Sequence, residues 1–282
     1  MADAKKTINR TGERKKPSAR RSSTRKKNKQ KDLRWLHILV AAIATSVFLF
    51  FAYHLVFKRN IFPFKVCEGE KAYLVCLPEG HSTFGLDISH HQGDIKWERV
   101  KEEQAANAPL KFVYIKATEG RDHKDKRFTR NWQEAKKHGF IRGAYHYFTT
   151  ASSGDAQANM FIRNVKLEKG DLPPMVDIEE SPKDKAAFTL ELKKFILRLE
   201  EHYGVKPLIY SYPKFHEKHL QDPFFKDYGL WIAHYYVDTP NISREWTMWQ
   251  FTDLGRVPGI KNKVDINVIE GGEERLRELQ IK

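Results

Sequence analysis

The chain has 282 residues, 40% of them hydrophobic and 12% aromatic, which is enough apolar material for one substantial core and too much for a chain disordered throughout. Its formal charge of +14 points to a nucleic-acid partner until it is mapped. Residues 1–34 hold 14 Lys/Arg against Asp3, Glu13 and Asp32, whereas the other 248 residues carry 36 basic and 33 acidic side chains, a balance too even to imply a polyanion-binding face on the folded part.

Residues 1–34 show no apolar periodicity and are expected to form a disordered basic tail on the cytoplasmic side. Residues 35–57 then run for 23 positions without Lys, Arg, Asp or Glu. As a helix this stretch is about 34 Å long, sufficient for a hydrocarbon core of about 30 Å. Trp35 and Tyr53 lie near its ends, where amphipathic rings favour the interface. The basic tail should stay inside, so the chain after Phe57 should be exported. The segment "FAYHLVFKRN" has no small-x-small cleavage site, so an uncleaved single-pass anchor in the cell membrane is expected rather than a signal peptide. The chain beyond the anchor would then be extracytoplasmic, and periplasmic in a Gram-negative cell. A buried core helix is the alternative reading of the same residues.

Export gives the only two cysteines, Cys67 and Cys76, an oxidising compartment. Within a linker at 58–82, "KVCEGEKAYLVC" places a turn signal, Glu68-Gly69-Glu70, between two apolar runs. A small hairpin is expected, closed by a bridge contributing about 2.7 kcal/mol through loop entropy. Two buried free thiols are the alternative.

From residue 83 to 282, short apolar runs alternate with helical patterns, as in βα units around a parallel sheet or barrel. Strands are expected at 83–89, 111–118, 142–148, 174–179, 207–212 and 230–236, with two more in "WTMWQFT" and "VDINVIE". Helices are expected at 97–107, 127–138, 155–166, 188–204 and, briefly, 214–220. The helix at 188–204 has the clearest stripe, from Phe188 through Leu192, Phe195, Ile196 and Leu199 to Tyr203, and ends at Gly204. Helices fall mainly between the early strands, so the fold class expected is an irregular, TIM-like (β/α) barrel preceded by one transmembrane helix.

In such barrels chemistry sits at the C-terminal strand ends. Asp87 is late in the first run, Asp177 and Glu179 are late in "PMVDIEE", and Asp265 opens the last. Residues i and i+2 of a strand share a face, so Asp177 and Glu179 should point inward together. Clustered, buried carboxylates raise one another's pKa, which allows one to stay protonated beside ionised neighbours, as glycosidic cleavage requires. A lone strand-end aspartate is otherwise a cap or turn residue, and that reading stays open for Asp265 by itself. No loop has the alternating Asp/Asn spacing of a calcium site, and His90 and His91 would point opposite ways on a strand, so no metal and no cofactor is expected. Tyr145, Tyr147, Tyr210, Tyr212, Trp231, Tyr235 and Trp249 lie on or beside strand runs where rings can stack on sugar faces.

Together, "FGLDISHHQGDIKW", "FVYIKATEG", "GAYHYF", "PMVDIEE", "LIYSY", "LWIAHY" and "MWQFTDLGRVPGIKNKVDINVIEG" resemble, in order, the motifs of glycoside hydrolase family 25, the Chalaropsis-type muramidases. The resemblance implies hydrolysis of the β-1,4 bond between N-acetylmuramic acid and N-acetylglucosamine in peptidoglycan strands, with retention and without metal. It implies Glu179 as general acid/base, Asp177 as the residue orienting the substrate acetamido group if the reaction is substrate-assisted, and Asp87 and Asp265 as the rest of an acidic mouth. Where many members carry an aromatic residue after Ser-His, this chain has His91. A monomer is expected. The competing functions are a non-catalytic module tethering the membrane to peptidoglycan, and a membrane scaffold working through the basic tail.

Overall fold

The computed structural model describes residues 34–51, 53, 67 and 69–282. The expected tail, apart from Arg34, and most of the linker's first half lie outside the described residues. The chain divides into two compact units, Met1–Val66 and Cys67–Lys282.

In the first unit, α1 (Arg34–Phe51) has a mean hydropathy of 1.8 and is long and apolar enough to cross a membrane by length and composition. Its large apolar side chains, among them Leu39, Ile43 and Phe50, are exposed. Of the expected span at 35–57, residues 52 and 54–57 lie outside the described residues.

The second unit opens with the disulfide Cys67–Cys76 and the hairpin of β1 (Lys71–Ala72) and β2 (Val75–Cys76). The hairpin turn lies past the expected Glu-Gly-Glu signal, of which Glu68 is outside the described residues. It falls on Tyr73 and Leu74, with φ of 51° and 62°, the left-handed pair that the twist of a two-residue hairpin requires. Tertiary bonds hold this pair in place: the Tyr73 hydroxyl donates to the Ala108 carbonyl at 2.9 Å, and the Arg256 amide donates to the Tyr73 carbonyl at 2.8 Å.

Eight strands then close a barrel. In chain order they are β3 (Phe84–Ile88), β4 (Leu110–Glu119), β6 (Ile141–Tyr147), β7 (Met175–Asp177), β8 (Leu208–Ser211), β9 (Leu230–Ala233), β10 (Met248–Gly255) and β11 (Val264–Ile269), with the short β5 (His123–Lys124) appended to β4. Every neighbouring pair from β3 through β10 is parallel. The last strand, β11, runs antiparallel to both neighbours, β10 and β3, and completes the circle.

The helices are α2 (Trp97–Glu102), α3 (Phe128–Lys137), α4 (Gly154–Asn164), α5 (Lys185–Tyr203), α6 (Pro213–His219) and α7 (Gly272–Leu279). Helix α5 starts where Asp184 Oδ1 accepts from the amides of Ala186 and Ala187, and stops at Gly204 in the left-handed conformation with φ 67°. Its Phe188, Leu192, Phe195, Ile196 and Leu199 are buried, as the stripe requires. Helix α2 ends five residues before the expected 107. There Gln104 Oε1 accepts from the Leu110 amide, drawing the chain into the next strand. Helix α7 follows β11 and was not expected.

Two apolar cores result. Phe112, Tyr114, Met175, Leu208, Trp231 and Met248 fill the barrel, whereas Val113, Ile115, Val176, Ile178, Phe161 and Phe195 pack between barrel and helices. Alternation along each strand sorts the side chains between them.

Candidate active site

A cavity of about 310 Å³ opens among the C-terminal ends of the parallel strands, where strand polarity leaves loops free to carry chemistry. It is lined by Asp87, Ile88, Ser89, His91, Gln92, Tyr145, Met175, Asp177, Glu179, Tyr210, Tyr235, Gln250 and Asp265. The four acids come from three places: the end of β3, the end of β7 and the loop after it, and the start of β11. Because β11 is antiparallel, its start lies beside the end of β3, and Asp265 pairs in register with Asp87. A cap role for Asp265 is thereby set aside in favour of a place in the cluster.

Strand β7 ends at Asp177, so Glu179 stands just past it. Alternation still carries through: Met175, Asp177 and Glu179 face the cavity, whereas Val176 and Ile178 enter the outer core. Backbone bonds extend this ordering beyond the strand, with the Phe148 amide donating to the Asp177 carbonyl at 2.9 Å and the Ile178 amide to the Tyr210 carbonyl at 3.0 Å. Past Glu179, Glu180 turns away and accepts from the amide and hydroxyl of Thr150 at 2.9 and 2.7 Å.

Asp87 is held by two amides. Gln250 Nε2 and Asn267 Nδ2 each donate to its Oδ2 at 2.7 Å. The amides are themselves oriented: Trp231 Nε1 donates to Asn267 Oδ1 at 3.0 Å, and the hydroxyls of Tyr210 and Tyr235 donate to Gln250 Oε1 at 2.8 and 2.6 Å. Asp177 is different. It is buried, and its Oδ1 has no hydrogen-bond partner among the described residues.

All four carboxyls hold their protons more tightly than usual. Burial raises Asp177 well above the ordinary range, and the Glu179 charge adds to it. Glu179, half-buried, is raised by burial and then by the Asp87 charge. Burial and Asp87 together push Asp265 up to about 9. Asp87 is raised by burial, against which its bonds from Asn267 and Gln250 work. Burial and mutual repulsion thus act in one direction on the whole cluster, and Glu179 is its half-exposed member.

Of the aromatic residues expected at the mouth, Tyr145 and Tyr210 line the cavity. Tyr147 lies beside it, with the Lys116 ammonium 4.8 Å from its ring centroid. Trp249 does not face the cavity. It is 1% exposed in the outer core, against His81, Trp246 and Phe251, and its Nε1 donates to the His234 carbonyl at 2.8 Å. Its neighbour Gln250 takes the inward position. Tyr235, also expected among the aromatic residues of the mouth, lines the cavity as well, whereas Gln92, Gln250 and Asn267 were not among the expected site residues. The Asp-x-Asn pattern of 265–267, two residues apart on one strand, was the available signal for Asn267.

The sequence matches the description Glycosyl hydrolases family 25 over residues 86–260. It is 38% identical over 212 residues to YegX of Escherichia coli, itself called uncharacterized, spanning 73% of this chain and 76% of that one. It is 34% identical over 214 residues to lysozyme M1 of Streptomyces globisporus, spanning 68% and 69%. Among solved structures, a family 25 glycosyl hydrolase from Bacillus anthracis superposes with a TM-score of 0.66 at 34% identity, over 72% of this chain and 95% of that one. A match across more than half the chain, ending in the same barrel, settles the classification: the chain belongs to glycosyl hydrolase family 25.

Proposed function

We propose that the protein is a lysozyme, a muramidase that hydrolyses the β-1,4 bond between N-acetylmuramic acid and N-acetylglucosamine in peptidoglycan. The observation that carries this reading is the placement of Asp177 and Glu179 on one cavity wall, the first buried with an oxygen unpaired among the described residues and the second half-exposed, its carboxyl raised by burial and by the Asp87 charge. Lysozyme M1 and the N,O-diacetylmuramidase of Chalaropsis, 29% identical over 215 residues, support the substrate class.

In the mechanism we propose, Glu179 gives its proton to the departing glycosidic oxygen as the C1–O bond breaks. The acetamido carbonyl oxygen of the same sugar attacks C1, while Asp177 Oδ1 accepts from the acetamido N–H and stabilises the positive charge that develops there. Glu179, now a carboxylate, takes a proton from the water that opens this intermediate. Two inversions at C1 give retention. Asp87, fixed by Gln250 and Asn267, and its neighbour Asp265 complete the acidic wall, and Tyr145, Tyr210 and Tyr235 supply the aromatic walls.

We further propose that α1 anchors a monomeric enzyme in the cell membrane with the barrel on the extracytoplasmic side, the reading favoured by its apolar length and by the basic residues before it. Membrane fractionation and protease access in intact cells test this.

The muramidase reading is tested by mass spectrometry of digested peptidoglycan. Muramic acid at the new reducing ends is the expected product; N-acetylglucosamine there, or no cleavage by the folded protein between pH 4 and 8, overturns it. Glu179→Gln should lower kcat by about 10²- to 10⁴-fold, the usual worth of a general acid.

A further inference from the structure

We infer that His91 selects glycan that presents a free carboxylate to the site, which deepens the muramidase reading above and rests on it. The cavity wall carries four acids, and those that ionise repel an anionic substrate. Among the described residues lining the cavity, His91 is the sole side chain able to carry positive charge. It is exposed on the wall, and its ring nitrogens have no hydrogen-bond partner among the described residues.

The backbone that presents this ring is fixed from three sides, which separates it from an ordinary surface histidine. His90–Gln92 is a single 3₁₀ turn capped by Ser89: the Ser89 hydroxyl accepts from the His91 amide at 3.2 Å, and Gln92 Oε1 accepts from the Ser89 amide at 2.8 Å. From the β10–β11 connection, Asn262 Nδ2 donates to the His91 carbonyl at 2.6 Å, and the Lys263 carbonyl accepts from Gln92 Nε2 at 3.2 Å. From the β4–α3 connection, the buried Asp125 accepts from the His90 amide at 2.9 Å and meets His90 Nδ1 at 2.8 Å. His90 is thus tied to a carboxylate of its own, and its ring lies behind that of His91, with centroids 4.1 Å apart and planes at 34°. The pair divides the work: His90 is committed to Asp125, while His91 keeps its donors for the cavity.

Strand order places this turn, at the end of β3, across the mouth from Glu179 at the end of β7, with β4 and β6 between them on one side. His91 therefore meets a sugar substituent rather than the departing oxygen, and is a specificity residue rather than an acid or base. Muramic acid carries a lactyl ether whose carboxylate is free when the stem peptide is absent and amide-bonded when it is present. Carboxylates on the stem peptide are a second source of the same chemistry.

The test compares full-length wild-type enzyme with His91→Ala and His91→Gln on three forms of one glycan: stripped of peptide with free lactyl carboxylates, the same strands with those carboxylates converted to methylamides, and strands with intact stem peptides. The wild type should favour free-carboxylate over methylamide strands in kcat/KM. His91→Ala should reduce that preference about tenfold, the size of one charge-assisted hydrogen bond at a partly solvated site, mainly through KM. His91→Gln, which keeps a neutral donor, should fall between. A change confined to peptide-bearing strands would move the recognised carboxylate from the lactyl group to the peptide and overturn the lactyl assignment. An unaltered preference in both variants, with melting temperatures unchanged, would overturn the role of His91 while leaving the muramidase reading intact. Absence of cleavage of all three substrates by the wild type would instead sink the muramidase reading itself.

Discussion

Replacing Asp265 by Asn should make the protein more stable, by an amount that grows with pH. In the folded chain Asp265 keeps its proton up to about 9, against an ordinary value of 3.8, because it is recessed beside Asp87. In the unfolded chain the proton leaves near the ordinary value. Between these two values the unfolded state binds fewer protons than the folded state, so stability falls as pH rises, by about 1.4 kcal/mol per pH unit for this group. From pH 5 to pH 8 the full effect is about 4 kcal/mol. Water at the cavity mouth screens part of it, and about 2 kcal/mol should be read. Asn does not titrate, so the gap in melting temperature between Asp265→Asn and wild type should widen by about 4–8 °C from pH 5 to pH 8 for a domain of this size. Calorimetry or fluorescence-detected melting at four or five pH values measures it. A gap that stays constant or narrows over this range refutes the assignment of a proton to the folded Asp265.

Two other perturbations follow from the packing. Trp249→Ala removes a side chain that is 1% exposed in the outer core, so it should cost about 3–5 kcal/mol of stability while KM for peptidoglycan stays near the wild-type value; a KM raised severalfold without loss of stability would return Trp249 to the sugar site. Gly154→Ala places a methyl against the backbone of α5 at the Glu191 carbonyl, where no side chain can yield. The expected loss is about 3 kcal/mol or more, read by urea denaturation, and a neutral result would mean that α4 and α5 pack less closely than described.

Much of the fold was legible because its strands and helices follow different periods. The stripe of α5 and the runs of β3, β4 and β6 could be placed to within a few residues, and alternation alone put Asp177 and Glu179 on a common wall. It failed at Trp249 for a physical reason. A strand buried on both faces, as β10 is, reads as an apolar run with no polar side to set its phase, and only the finished sheet shows that Gln250 and not Trp249 faces inward. The amides on Asp87 were hidden differently: Gln250 and Asn267 lie 163 and 180 residues away in sequence, and barrel closure alone brings them there. The 3₁₀ turn at His90–Gln92 was not expected, because the reading of these residues ended the strand at 89 and left the histidines after it without a turn type.

Barrel closure also sets when the site can exist during synthesis. The first barrel strand, β3, has β11 as one of its two neighbours, and β11 delivers both Asp265 and the Asn267 amide that holds Asp87. A chain emerging from its N-terminal end therefore displays an open edge on β3, and an Asp87 without its partners, until residue 269 has followed. Pairing across so long a separation is slow to form. Asp87 thus acquires the Asn267 amide that holds it, and Asp265 beside it, only when the last strand of the domain pairs with the first.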